Sequence, residues 1–94
     1  MEPITEDEIH VSLRRTALDE LAQGAGIECL KRRLDATLTR LSSLHPDTRT
    51  SSGRLIRTRE VSVCVADAGR SVSLRVSLRG ESKRMFCDRP DTNT

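Results

Sequence analysis

At 94 residues the chain has room for one hydrophobic core and not two, because separate cores need roughly 50 or more residues each. Hydrophobic residues make up 35% of it and Phe86 is the sole aromatic, so the core must be built from Leu, Val and Ile. The net charge of +2 divides unevenly, with −3 on residues 1–47 and +5 on residues 48–94, and 14 of the 16 basic residues are Arg. Arg is the better residue for bidentate contact with carboxylate or phosphate. The same skew fits the codon usage of a GC-rich bacterial or phage genome. No stretch reaches the ~18 apolar residues of a membrane span, and the acidic start Glu2-Pro3-Ile4-Thr5-Glu6-Asp7-Glu8 has no apolar leader core. Three cysteines at wide spacing, Cys29, Cys64 and Cys87, form neither a disulfide framework nor a zinc pattern. The expectation is a soluble protein of a reducing, cytoplasmic compartment.

Thr5-Glu6-Asp7-Glu8 reads as a capping box: the Thr5 hydroxyl accepts from an early helix N–H, and the acids complement the positive end of the helix dipole. Ile9, Leu13, Ala17 and Leu21 then recur every four residues, with Leu18 and Ala22 widening the arc. This predicts a helix to about Gln23, broken by Gly24-Ala25-Gly26. Ile27, Leu30, Leu34, Leu38 and Leu41 mark a second helix whose narrow Leu stripe is like a coiled-coil seam, able to pack on the first helix or to join two copies as a homodimer. Glu28 and Arg32 are placed to pair on its polar side. The second helix ends near Leu44, because Pro46 disfavours a helical His45.

Residues 46–53 are polar and breaker-rich and predict a mobile loop. Beyond Arg54 the hydrophobic period changes from 3.6 to 2. Val61, Val63 and Val65 alternate with polar or small residues, as do Val72, Leu74, Val76 and Leu78. A two-residue turn at Ala68-Gly69 pairs Val65 with Val72 and Val63 with Leu74, gathering the apolar residues on one face. A third strand after Gly80-Glu81 brings Met85 beside Val76, Cys87 beside Leu74, and Phe86 outward beside Arg75. The tail 89–94 has no apolar residue and should fray. The fold class is therefore α+β: a two-layer α-α-β-β-β domain over 1–94 with an ordered core at about 5–88. In it a helical hairpin packs on one face of a three-stranded antiparallel meander.

Chemistry-bearing patterns are scarce. His10 falls on the apolar arc of the first helix and His45 in a helix-ending His-Pro step, with no nucleophile placed beside either by local spacing. The glycines are scattered as single turn residues, and no phosphate loop, G-x-S-x-G elbow or His-x-x-x-His pair occurs. The sequence therefore predicts no catalytic residue, no metal and no cofactor.

Two surfaces remain for contact. Leu18-Asp19-Glu20-Leu21-Ala22-Gln23-Gly24-Ala25-Gly26-Ile27 resembles the first helix and turn of a helix-turn-helix. The resemblance implies nucleic-acid binding, but it departs where the recognition helix would need aliphatics at Arg32 and Asp35. The other surface is the outer face of the sheet, where Thr58, Glu60, Ser62, Ser73, Arg75, Ser77, Arg79, Arg84 and Phe86 point away from the helices. Arg and an exposed aromatic are enriched at protein interfaces. The expectation is a small non-catalytic binding or regulatory protein, an adaptor or phage-type inhibitor, that contacts another protein through Arg75, Arg79, Arg84 and Phe86. The alternative is a nucleic-acid-binding regulator using the Arg-rich second half.

Overall fold

Thr5 starts the first helix as its spacing predicts: its Oγ1 accepts from the Glu8 N–H at 3.1 Å. The computed structural model describes residues 3–57, 61–78 and 81–89. Among them α1 spans Glu6–Ala22 and α2 spans Ile27–Leu44, joined through Gly24, whose φ of 81° only glycine adopts readily. Ile9, Leu13, Ala17 and Leu21 of α1 and Leu30, Leu34 and Leu38 of α2 are buried. Leu30, Leu34 and Leu38 of the α2 seam are thus packed inside the fold, with Ile27 and Leu41 partly buried beside them. Leu18 and Ala22, expected to widen the buried arc, are exposed instead. No Glu28–Arg32 ion pair forms among the described residues; Arg33 instead reaches across to Glu20 of α1 at 3.3 Å.

The meander consists of β4 (Val61–Ala68), β5 (Ser71–Leu78) and β6 (Glu81–Asp88), in that order across an antiparallel sheet. Its inner face carries Val63, Val72, Leu74, Val76, Leu78, Met85 and Cys87, all buried in one core with the helices. α2 packs against β4 and α1 against β6. The expected faces are therefore correct, but both hairpins pair two residues away from the expected register. Val65 faces Leu74 and Val63 faces Val76, closing a Gly69-Arg70 turn. Met85 faces Leu74 and Cys87 faces Val72. The reason in the first hairpin is steric. Tight hairpin turns need positive φ at the first central residue, and Gly69 supplies it at 74°, whereas a turn at Ala68-Gly69 would force Ala68 there.

A second, smaller sheet also differs from expectation. β1 (Ile4–Thr5) pairs in parallel with β2 (Asp47–Arg49), which pairs antiparallel with β3 (Leu55–Arg57). Part of the loop expected at 46–53 is therefore strand. The Gly53 N–H donates to the Thr50 carbonyl at 2.9 Å and the Thr50 N–H to the Arg54 carbonyl at 2.8 Å, so three residues close the hairpin with Gly53 at φ 90°. The Ser51 N–H also donates to Glu6 Oε1 at 3.2 Å, fastening this hairpin to the start of α1. At the other end Arg89, expected to fray, pairs with Asp67 and its N–H donates to the Arg70 carbonyl at 2.7 Å; residues 90–94 lie outside the described residues. No described helix is long and apolar enough to cross a membrane.

Candidate protein-contact face

Because the helices cover one face of the meander, alternate side chains of β4, β5 and β6 stand on the other. The pairing arranges them in rows. Ser62, Ser77 and Ser82 form one row; Cys64, Arg75 and Arg84 the next; Ala66, Ser73 and Phe86 a third. Most of these side chains are small, so Arg75, Arg84 and Phe86 project above the floor, and all three are exposed. Phe86, the one aromatic of the chain, is 55% exposed.

Phe86 was expected beside Arg75 but stands opposite Ser73, a consequence of the two-residue shift in register. Arg75 is now its diagonal neighbour, at a distance that a long side chain spans. The residue directly opposite Arg75 is Arg84. Residues so placed have Cβ atoms only about 4.5–5.5 Å apart, and like charges there are destabilising. Among the described residues neither guanidinium has a carboxylate within ion-pair distance; the pairs that do form are Arg33–Glu20, Lys83–Asp7 and Arg89–Asp67. Arg79, the fourth residue expected in this patch, lies outside the described residues, as do Thr58 and Glu60.

Sequence reasoning missed a polar cleft on the opposite side of the sheet. About 260 Å³ in volume, it is lined by Glu6, Asp7 and His10 of α1, Ser51 of the small hairpin, Val76 and Leu78 of β5, and Ser82 and Lys83 of β6. Lys83 shares the parity of Met85 and Cys87, which places it on the helix side, where its Nζ lies 3.7 Å from Asp7. His10 is buried, and among the described residues neither ring nitrogen makes a well-formed hydrogen bond. Burial chiefly pushes its pKa below the ordinary 6.5, and Lys83 adds to this; Glu6 and Asp7, with a backbone carbonyl of Glu6 nearby, pull the other way. Cys87 is also buried, and burial raises its pKa, partly countered by Arg14. Cys29 and Cys64 are exposed. Among the described residues no group of three or more His, Cys, Asp or Glu side chains could hold a metal ion.

No family model, curated protein or solved structure matches this chain. The functional reading therefore rests on the surface itself.

Proposed function

We propose that this is a small non-catalytic binding protein that works by protein–protein contact through the outer face of its meander. The observation that supports this is Arg75 set directly opposite Arg84 on an uncovered sheet face, with no described carboxylate to relieve either. Such a pair costs the free protein some stability, and a departure from local rules without internal compensation is characteristic of functional surfaces. An acidic partner surface would supply the missing carboxylates, and the exposed Phe86 beside them adds an apolar anchor.

The test is a partner-binding comparison with Arg75→Glu/Arg84→Glu. This double change keeps two like charges opposite each other with their sign reversed, so the fold and its melting midpoint should be nearly unaltered. Capture of the partner from host extract should fall at least tenfold, equivalent to about 1.4 kcal/mol. Undiminished capture by the folded variant would refute the assignment of this face. Binding to nonspecific DNA or RNA that weakens steeply with salt would favour a nucleic-acid regulator instead.

A further inference from the structure

We propose that a second copy of this chain pairs with the free edge of β4, the two β4 strands running antiparallel about a twofold axis at Cys64 to join both meanders into one six-stranded sheet. The proposal is independent of the reading of the outer face, since Arg75 and Arg84 of both copies stay uncovered in it.

The two edges of the meander differ. β6 carries Lys83, Arg84 and Asp88, charges of the kind that keep an edge from pairing with another chain. Its inward residues Met85 and Cys87 are buried, and α1 packs against it. β4 reads Val-Ser-Val-Cys-Val-Ala-Asp-Ala, with three β-branched residues, no Pro, Gly or basic residue, and one charge, Asp67, already paired with Arg89. Among the described residues it pairs with β5 alone. The core is also open on this side. Among the described residues the hydrophobics left half-buried against it are Ile27 and Leu41 of α2 and Val61 and Val65 of β4, and α2 is the helix that packs on β4.

Hydrogen-bond phase selects the register. Ala68 and Ser71 flank the two-residue turn and so form a hydrogen-bonded pair, and the alternation along the ladder makes Ala66, Cys64 and Ser62 bond to β5 as well. The N–H and C=O groups of Val61, Val63, Val65 and Asp67 therefore point outward along the free edge. A second β4 offers the same four residues. Keeping its valines on the helix side requires odd positions to face odd positions, and a twofold axis through Cys64 does this with the most bonds. Val63 then faces the second copy's Val65 and Val61 faces the second copy's Asp67, and each of these pairs, with its symmetry mate, exchanges two hydrogen bonds. Moving the axis to Val63 or Val65 loses one of the four pairs within β4. The axis at Cys64 also sets that residue opposite its own copy at a non-hydrogen-bonded position, where Cα atoms stand about 4.5 Å apart, inside the range a disulfide bridges. Both α2 helices come to the same side of the joined sheet, closing the half-buried side of each core.

Cysteine chemistry reads this register. In a Cys29→Ser background Cys64 is the one exposed thiol, Cys87 being buried. Diamide, which takes up two electrons and two protons as two thiols become a disulfide, should convert the folded protein at micromolar concentration to a covalent dimer. With Cys64→Ser added, Ser62→Cys alone or Ala66→Cys alone should give at least tenfold less dimer, since each thiol then stands about 13.6 Å along the strand from its own mate. Mixed together, these two variants should cross-link to each other. Sedimentation equilibrium of the wild type should show a reversible dimer. Val65→Lys should raise its dissociation constant at least tenfold, because an inward charge at an edge blocks pairing, while in the monomer the half-buried site lets the ammonium reach water. Far-UV circular dichroism checks that this variant folds; if it does not, the mixed cysteine pair decides alone. A wild-type chain that sediments as a monomer at its highest soluble concentration would overturn the proposal. So would equal cross-linking of Ser62→Cys alone and of the mixture, or an undiminished dimer in folded Val65→Lys, since either places the contact elsewhere.

Discussion

Gly69 shows how one residue sets a register. Its φ of 74° places it in the left-handed region, and no heavy atom stands within 4 Å of where a Cβ would be, so a substitution there meets backbone strain and no clash. Gly69→Val should therefore destabilise the fold by about 1–2 kcal/mol, measurable by urea denaturation, with an unchanged midpoint contradicting the turn. Arg84 makes the opposite case. Arg84→Glu replaces a like-charge cross-strand pair with an opposite-charge pair to Arg75, so it should raise stability by roughly a few tenths of a kcal/mol while weakening partner binding. A loss of stability in that variant would mean that the two guanidinium groups do not repel in the free protein.

Among the elements, α2 is the one whose role was open between intramolecular packing and joining two chains. Leu30 and Leu34 are fully buried and Leu38 is 5% exposed, all within one chain. Leu34→Ala should cost about 2–5 kcal/mol, as other buried Leu truncations do, enough to unfold much of a domain this small at ambient temperature. Circular dichroism during thermal melting would register it, and a wild-type midpoint would place Leu34 outside the core. The small sheet illustrates what period alone leaves unread. β2 and β3 carry mostly polar residues, and their support comes from Ile4 near the other end of the sequence and from the Glu6–Ser51 hydrogen bond. A local window contains neither contact, and the Ser51-Ser52-Gly53 segment shows only the turn.

Over the whole molecule, stability should follow the protonation of His10. Its folded pKa lies below the ordinary 6.5. Between that depressed value and 6.5 the unfolded chain binds more protons, so the contribution is fully present above about pH 6.5 and is lost as pH falls toward the folded value. His10→Leu removes two buried ring nitrogens that make no well-formed hydrogen bond among the described residues. It should stabilise the protein by about 1 kcal/mol at neutral pH and flatten the fall just below pH 6.5. Urea titrations at neutral and mildly acidic pH check both effects, and a less stable variant with the same acid dependence would show that the ring has a partner.

The sequence by itself determined the two helices, the Thr5 cap, the buried sets Ile9-Leu13-Ala17-Leu21 and Leu30-Leu34-Leu38, and which face of each meander strand turns inward. These follow from local hydrogen bonding and from periods of 3.6 and 2 that a short window contains. It did not determine the pairing, because alternation with period 2 is satisfied by every even shift; only the strain-free placement of Gly69 in the turn chose among them. The site depended on that choice. Arg75, Arg84 and Phe86 were legible as outward-facing, but the opposition of two arginines appears only once Leu74 is known to face Met85. The cleft around His10 likewise required α1, the small hairpin and β6 to meet, since its charged lining combines residues from the beginning and the end of the chain, which only the closed fold brings together.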